Sequence, residues 1–336
     1  MATIRDVARK ADVSIATVSR VMNAPDQVNE KMRAAVLHAI DELNYRPNRA
    51  AQALKRQESH TIGFALSQFS APYYGLVLDG IDEALVEVGF KTIAENGRET
   101  PDSQVEAWMS LVERQCESVI LHGDLIEEAT LRRLMDAYPT TVLLNQVLTG
   151  FEDRCIVVDN YAAGRLAADY LLGQGHRDIA VFTGPVDRQE TYNRHAGFVA
   201  RLAEAGVALN PKLVRNGWFV EKEAEQIMAE FIDQKEPFTA LFSQNDVMAA
   251  GAMEACNVKG IKVPDEISIM GFDDLDLARY LTPKLTTIHQ PVHRIGRAAA
   301  MLAYRLCRPD ISATVPIQIR FEATLVERGS VAHIAT

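Results

Sequence analysis

Cysteine is scarce in this chain of 336 residues, and its placement excludes two classes of protein. The four cysteines, Cys116, Cys155, Cys256 and Cys307, are far apart, and none belongs to a C-x-x-C pair or to a set with metal-ligand spacing. We therefore expect neither a disulfide scaffold nor a zinc module, but small buried thiols in a reducing compartment. No apolar run approaches the length of a membrane span, and the first residues lack the pattern of a signal peptide. These features predict a cytoplasmic protein.

Motifs of the common enzyme classes are also missing. The chain has no G-x-S-x-G, no Walker-type glycine loop and no H-E-x-x-H. The acidic stretch "FDDLD" contains Asp273, Asp274 and Asp276, but it lacks the glycine and the terminal glutamate of a calcium loop. We expect no catalytic site, no metal and no cofactor.

Positive charge is in deficit overall, yet it is concentrated at one end. The formal net charge is −10. Residues 1–59 nevertheless carry ten Lys and Arg against seven Asp and Glu. The acidic excess therefore lies in the remainder, and the first 59 residues have the basic balance expected of a DNA-binding segment. Their modest excess of positive charge suggests that two copies are needed for tight binding.

The stretch "SIATVSRVMN", beginning at Ser14, reads as a helix capped by the Ser14 hydroxyl. Val18, Val21 and Met22 fall at helical spacing and are predicted to pack inward. The other face and the N-terminal end then carry small or polar side chains and one cation: Ile15, Ala16, Thr17, Ser19 and Arg20. Such a face can approach a DNA groove closely, although these ten residues alone also suit a small structural helix.

The flanking residues favour DNA binding. A first helix is predicted after Thr3, with Asp6 as capping partner and with Val7 and Ala8 facing inward. A third helix follows Asn29, and its apolar positions form one stripe: Met32, Ala35, Val36, Ala39, Ile40 and Leu43. Three short helices with a tight turn between the first two are the helix-turn-helix pattern.

The segment "NRAAQALKR", residues 48–56, follows Pro47 and admits two interpretations. It is too short to be a stable helix in isolation, so it is either a solvated linker or a hinge helix that folds on DNA. In the second case Leu54 is a wedge in the minor groove, where apolar side chains kink the duplex.

From Thr61 onward, short apolar strands alternate with amphipathic helices. Predicted strands include "TIGFALS", "KTIAE", "SVILHG" and "TTVLLN", and the rhythm restarts with "CIVVDN", "DIAVFTG", "TALFSQ" and "ISIMGF". Repeated β–α units predict two parallel sheets covered by helices. Ligands of such sheets bind at the carboxyl ends of the strands, here where two lobes face each other.

Four stretches together carry a family resemblance: "MATIRDVARKADVSIATVSRVMN", "YRPNRAAQALKR", "VPDEISIMGFDD" and "LTPKLTTIHQP". The chain resembles the lactose-repressor/galactose-repressor family of transcription factors from its first residue to about Arg328. "MATIRDVAR" and "LLNQVLTGFEDRCIVVDN" look closest to the galactose-repressor branch.

The resemblance implies a domain organisation. It comprises an all-α helix-turn-helix headpiece (residues 1–46), a hinge helix and linker (47–59), and a two-lobed α/β core of the periplasmic-binding-protein type. The N-terminal lobe is expected over 60–160 with 291–319, and the C-terminal lobe over 161–290 with 320–336. Three crossovers are thus expected, near Asn160, Gln290 and Arg320. The heptad tail of tetrameric relatives is not seen, so we expect a homodimer on a palindromic operator.

The resemblance also assigns DNA contacts. Ile15, Ala16 and Arg20 match base-reading positions: the arginine fork suits a guanine edge, and the apolar side chains suit thymine methyls. For Arg20, a phosphate contact is the alternative. Backbone contacts are expected from Ser14, Thr17, Asn23, Tyr45 and Asn48. In the hinge, Ala51 and Leu54 match the minor-groove positions.

For the effector, the resemblance selects eight residues: Tyr73, Tyr74, Asn145, Arg188, Arg194, Trp218, Asn245 and Asp273. Aromatic rings suit the C–H faces of a sugar, and charged side chains suit its hydroxyls. We expect a galactose-like sugar that acts as inducer. For Trp218, core packing is the alternative role, and Asp159 and Asn160 are expected to cap a helix rather than to contact ligand.

Two alternatives remain from the sequence. Gln146 and the stretch "PVDRQETYNR" depart from a strict galactose repressor, so a purine or another corepressor is a second possibility within the family. A solute-binding protein of a transporter is the other, but such proteins are exported, whereas this chain opens on a DNA-binding motif.

Overall fold

The computed structural model describes residues 2–45, 59–310 and 316–334. The chain divides into two units, residues 1–59 and 60–336. The predicted hinge helix, with Asn48, Ala51 and Leu54, lies outside the described residues. So does the side chain of Asn23.

The described residues of the first unit form three α-helices: α1 (Ile4–Lys10), α2 (Ile15–Asn23) and α3 (Glu30–Glu42). All three predicted caps form. Thr3 and Asp6 make a reciprocal capping box, and Ser14 Oγ accepts a hydrogen bond from the Thr17 N–H at 3.1 Å. Asn29 Oδ1 likewise accepts one from the Lys31 N–H at 2.9 Å. Side-chain oxygens thus satisfy N–H groups that the first helical turns leave unpaired.

A small apolar core holds these helices together. Its buried members come from all three: Val7, Ala8, Val18, Val21, Val36 and Ala39. The predicted stripe on α3 is correct for Val36 and Ala39 but wrong for Met32 and Ala35, which are exposed. Helices α1 and α2 cover a narrower part of α3 than the apolar stripe offers.

The second unit contains two six-stranded sheets. The first has the order β11-β5-β4-β3-β1-β2 and is parallel. Its strands are β1 (Thr61–Leu66), β2 (Lys91–Asn96), β3 (Ser118–Leu121), β4 (Thr141–Leu144), β5 (Cys155–Val158) and β11 (Arg320–Phe321). One face packs on α4 (Pro72–Glu87) and α12 (Val292–Cys307), and the other on α5 (Pro101–Glu113) and α6 (Glu128–Ala137).

The second sheet has the order β12-β10-β9-β8-β6-β7. Its strands are β6 (Ile179–Thr183), β7 (Val214–Asn216), β8 (Ala240–Ser243), β9 (Ser268–Asp273), β10 (Thr286–His289) and β12 (Thr324–Val326), of which β12 is antiparallel. Helices α7 (Asn160–Gly173) and α8 (Gln189–Glu204) pack on one face. On the other lie α9 (Glu221–Asp233) and α10 (Asp246–Lys259), and a short α11 (Leu277–Tyr280) follows β9.

The chain crosses between the lobes three times. The first two crossovers fall between β5 and α7, at Asp159, and between β10 and α12, at Gln290. The third lies between Phe321 and Thr324, because β11 still pairs with β5 of the first sheet. The predicted boundary before Arg320 is therefore wrong by a few residues, since strands this short have no sequence signature.

Helices α7 and α8 approach each other at backbone contact. A Cβ on Gly164 would lie 2.0 Å from the Arg194 carbonyl oxygen, and one on Gly197 would lie 2.0 Å from that of Tyr161. Only glycine permits this spacing. It brings the start of α7 beside the middle of α8, where Arg194 lies. Among the described residues, no helix has the length and apolar character to span a membrane.

Candidate effector cavity and DNA-binding face

A cavity of about 330 Å³ lies between the two lobes, at the carboxyl ends of both sheets. All eight residues predicted for the effector line it: Tyr73, Tyr74, Asn145, Arg188, Arg194, Trp218, Asn245 and Asp273. The first three belong to the N-terminal lobe and the other five to the C-terminal lobe. Strand ends meet at one sheet edge, which is why residues so distant in sequence share one cavity.

On the N-terminal side, a hydrogen-bond chain begins at Tyr73. Its hydroxyl lies 2.9 Å from Asn145 Nδ2, and the same nitrogen lies 3.1 Å from His122 Nε2. The Tyr74 hydroxyl lies 3.2 Å from Nδ1 of that histidine. Burial raises the pKa of the Tyr73 hydroxyl, although its hydrogen bond to Asn145 acts in the opposite direction, so the neutral form that can donate is favoured.

On the C-terminal side, Arg194 lies under the cavity and is almost fully buried. Its Nε and Nη2 donate to Asn160 Oδ1 at 3.1 and 2.8 Å, and its Nη1 donates to the carbonyl oxygen of Gln244. The guanidinium carbon also lies 3.5 Å from the centroid of the Phe272 ring. These contacts fix the plane of the guanidinium before any ligand arrives.

Asp273 is the last residue of β9 and has φ of 111°, a backbone conformation that residues other than glycine rarely adopt. Gln290 Nε2 donates to its Oδ1 at 2.6 Å. Burial raises the pKa of Asp273 to about 7, although Arg194 and Gln290 act in the opposite direction. The carboxyl group is therefore poised to change its protonation state near neutral pH.

Two aromatic residues follow β7 in a tight turn. Trp218 and Phe219 have φ of 56° and 60°, and the Trp218 N–H donates to Asn216 Oδ1 at 2.8 Å. The Phe219 ring lies against the backbone of Gly184, where a Cβ would come within 2.1 Å of it. Trp218 is 56% exposed at the cavity wall, so the alternative of core packing is wrong for this residue.

Asn245 and Asp246 occupy the start of α10. Asn245 Oδ1 accepts the Met248 N–H at 2.8 Å and so caps the helix, which leaves its amide nitrogen for a ligand. Asp246 is fully buried, and its carboxyl group accepts from the Leu275 N–H at 2.7 Å and from Thr287 Oγ1 at 2.6 Å. Asp246 thereby anchors the segment that follows Asp273.

Three connections join the lobes across the cavity. Arg188 Nε lies 2.9 Å from Asp124 Oδ2, and Arg188 Nη2 lies 3.5 Å from Glu99 Oε1. The Gln189 side chain accepts the Val147 N–H at 2.7 Å and donates to the Val147 carbonyl at 3.3 Å. These polar contacts connect the lobes in addition to the three crossovers of the chain.

Several cavity residues were missed from the sequence: Glu99, Asn160, Glu190, Phe219 and Gln290. The helix-capping role predicted for both Asp159 and Asn160 holds for Asp159 alone, whose Oδ1 accepts the Ala162 N–H at 3.0 Å. Asn160 instead faces Arg194. The only available signal was position, since Asn160 and Gln290 lie where strands end and the lobes cross.

In the part of the chain that the structure describes, one group of side chains has ligand atoms close enough to hold a metal ion: His122, Asp124 and Glu190, within 4.8 Å of one another. Asp124, however, already makes several contacts. Its Oδ1 accepts from Ser67 at 2.9 Å and Gln104 at 2.6 Å, and its Oδ2 faces Arg188. The donor set therefore fits a hydrogen-bonded ion cluster better than a metal site.

In the first unit, the predicted base-reading residues share one exposed face of α2. Ile15 is 44% exposed, and Ala16 and Arg20 are exposed as well. Ser14 and Thr17 lie at the helix start, where their hydroxyl oxygens are 2.8 Å apart. Tyr45 is half-buried against the three-helix core.

The comparisons with known proteins agree with this architecture. Residues 3–48 match the family model "Bacterial regulatory proteins, lacI family", and residues 168–331 match "Periplasmic binding protein-like domain". The regulator GalR of Escherichia coli is 38% identical over 98% of this chain and 96% of its own length. The repressor PurR of Erwinia tasmaniensis is 35% identical over 99% and 97%.

A solved structure of the Lac repressor dimer, bound to operator and an anti-inducer, has a TM-score of 0.87 at 26% identity. It covers 98% of this chain, and 99% of that chain is matched. A complex of the regulator CelR with cellobiose has a TM-score of 0.71 at 29% identity, with 98% and 100% covered. The chain belongs to the LacI/GalR family, whose members are DNA-binding transcriptional regulators with an effector-binding core rather than enzymes.

Proposed function

We propose that this protein is a repressor that binds a palindromic operator as a homodimer and releases it when a galactose-like sugar binds between the lobes. The observation that carries the proposal is the composition of the cavity wall. It combines exposed Trp218 with fixed hydrogen-bonding groups on Arg194, Asn145 and Asp273. Aromatic faces and charged, bidentate partners are what a pyranose needs. The full-length similarity to GalR, and the fold shared with a Lac repressor dimer bound to operator and an anti-inducer, also support a repressor with a small-molecule effector.

The headpiece is proposed to read DNA with α2. Arg20 pairs with a guanine edge, and Ile15 and Ala16 contact thymine methyls. Ser14, Thr17, Asn23, Tyr45 and Asn48 hold phosphates, and Ala51 and Leu54 of the hinge enter the minor groove. Because a bacterial DNA-binding regulator must reach the chromosome, we propose that the protein is cytoplasmic.

The switch is proposed to run through the lobe contacts. A sugar that bridges Asn145 of one lobe and Arg194 of the other favours one lobe angle over another. The pairs Arg188–Asp124 and Gln189–Val147 must adapt to that angle. Effector binding then lowers operator affinity by the sugar's differential affinity for the two states, on the order of 1–3 kcal/mol.

A purine corepressor is the second candidate, favoured by the full-length similarity to PurR. The test is a titration of operator binding with monosaccharides, disaccharides and purines at fixed salt, because phosphate contacts make affinity strongly salt-dependent. Release of DNA by galactose or a close relative supports the proposal. Tightening of DNA binding by a purine would replace the inducer by a corepressor, and failure to bind any operator would reject the repressor itself.

A further inference from the structure

Glu190 is a buried carboxyl group that has no assigned role in the site described so far. It lies in the first turn of α8, directly after the loop that joins β6 to this helix, and it lines the cavity. The residue is 8% exposed, and its Oε2 has no hydrogen-bond partner in the described part of the chain. A buried polar atom without a partner is costly, so a partner is expected in the working state.

The neighbouring cations do not supply that partner. Arg188 is engaged by Asp124 and Glu99 of the opposite lobe. His122, whose ring lies within 4.8 Å of the Glu190 carboxyl group, has its two nitrogens at hydrogen-bond distance from Tyr74 and Asn145. Arg194 donates to Asn160 and to the Gln244 carbonyl, and none of these hydrogen bonds goes to Glu190. Lys222, the third cation at the cavity, is exposed in the first turn of α9, where solvent screens its charge.

The electrostatic surroundings of Glu190 favour a neutral or positively charged neighbour. Burial raises its pKa, the negative charge of Asp124 adds to that effect, and His122 and Arg188 oppose it without reversing it. A second anion placed here would meet the same desolvation and the same repulsion. A group that donates a hydrogen bond or carries positive charge would avoid this repulsion and would give Oε2 a partner.

We propose that Glu190 selects the charge of the effector: the cavity takes an unphosphorylated sugar that presents a hydroxyl or a protonated amine to Glu190, and it rejects sugar phosphates and sugar acids. This inference rests on the proposed sugar effector and narrows its chemical class. The shared chemistry is an O–H or N–H donor directed at Oε2. A hydroxyl gives Oε2 a hydrogen-bond donor, and a protonated amine gives it a donor together with a positive charge.

The test is isothermal titration calorimetry of the full-length protein with two series of ligands. Each series contains the neutral hexose, its 2-amino form, its 6-phosphate and its uronic acid, for galactose and for glucose. We expect the neutral or the amino form to bind, with both anions at least about tenfold weaker, which corresponds to about 1.4 kcal/mol. In Glu190→Gln, the anions should gain on the neutral sugar by about tenfold and the amine should lose its advantage.

Glu221→Gln is the matched control, because Glu221 also lines the cavity but is exposed. We expect its ligand ratios to stay within about twofold of wild type, as for a solvent-screened charge. A thermal melt establishes that each variant folds, and the wild-type ratios decide the question even if Glu190→Gln does not fold.

Tighter binding of the amino form assigns an ammonium to Glu190, and tighter binding of the neutral form assigns a hydroxyl; both support the inference. An anion that binds wild type as well as the neutral sugar does overturns it, while the sugar effector survives. Unchanged ligand ratios in a folded Glu190→Gln also overturn it. If no member of either series binds and a purine does, the sugar effector fails and the charge selection fails with it.

Discussion

Asn160 and Arg194 are joined by two hydrogen bonds to a single oxygen: Nε and Nη2 of the arginine lie 3.1 and 2.8 Å from Asn160 Oδ1. Asn160 begins α7 immediately after the first crossover, and Arg194 lies on α8 under the cavity. The bond pair therefore connects the interlobe crossover to the side chain proposed to hold the effector.

We predict that Asn160→Ala weakens effector binding by about 10- to 100-fold, because a hydrogen bond to a charged group contributes about 1.5–3 kcal/mol and the guanidinium loses its orientation. The measurement is the dissociation constant of the effector by calorimetry. The adjacent Asp159→Ala is the control, since Asp159 caps α7. It should cost about 0.5–2 kcal/mol of stability with little change in affinity. Equal losses of affinity in the two variants would contradict the assignment.

The second prediction concerns the pH dependence of effector binding. Burial raises the pKa of Asp273 to about 7, with Arg194 and Gln290 opposing. Sugar hydroxyls donate to the ionised carboxylate, so binding should release a proton, and affinity should rise between about pH 6 and pH 8. Below pH 7 the decrease approaches about tenfold per pH unit. Calorimetry in buffers of different ionisation enthalpy measures the released proton.

Asp273→Asn should flatten this profile, whereas Glu190→Gln should keep its step near pH 7. The contribution of Asp273 to folding stability changes with pH in the opposite direction to its effect on effector affinity. The folded state holds the Asp273 proton more tightly than the unfolded state does, so this group's contribution to stability is present at low pH and is lost as pH rises from about 4 to about 7. An effector affinity that falls with rising pH would contradict the role of Asp273.

A third prediction uses the two tryptophans. Trp218 is exposed at the cavity, whereas Trp108 is buried and its Nε1 donates to Thr141 at 3.3 Å. A sugar that stacks on Trp218 changes the hydration of that indole alone. Effector binding should therefore change the fluorescence of wild type and of Trp108→Phe to a similar extent. A persistent change in Trp218→Phe with the same midpoint would place the ligand away from this ring.

A fourth prediction addresses base reading by α2. Arg20→Ala should weaken operator binding by about 1–3 kcal/mol, the discrimination of one bidentate base contact, and should relax the preference at one base pair of each half-site. Binding to operator and to random DNA is compared at one salt concentration. A uniform loss on all sequences, with a shallower salt dependence, would assign Arg20 to a phosphate instead.

A fifth prediction concerns the hinge. If Leu54 is a minor-groove wedge, Leu54→Ala should reduce affinity for the operator more than affinity for random DNA, because the wedge acts only where the duplex is kinked. Ala53→Ser, one residue away, is the control and should alter the two affinities alike. Proportionate losses in Leu54→Ala would favour a solvated linker.

Much of the fold follows from local sequence patterns. The three caps in the headpiece form as predicted because each depends on residues within three positions of one another. Most of the alternating strands and helices from Thr61 to the end of β9 are likewise visible as periodicity; β7, with three residues, is the strand in this range that the sequence did not predict. The last part of the chain has no such periodicity, since β11 and β12 have only two and three residues and become strands by pairing with distant strands.

The sequence by itself determined the family, the order of most elements and eight of the residues that line the cavity, because motifs carry the family resemblance and local periodicity carries the elements. Only the tertiary structure decided that Asn160 orients Arg194, that Trp218 is exposed and that Glu190 is left without a partner. Those properties depend on how close two helices approach, on the conformation of one turn and on which cations are already engaged. Each is a relation between side chains far apart in the chain, and such relations leave no trace in residue type or spacing.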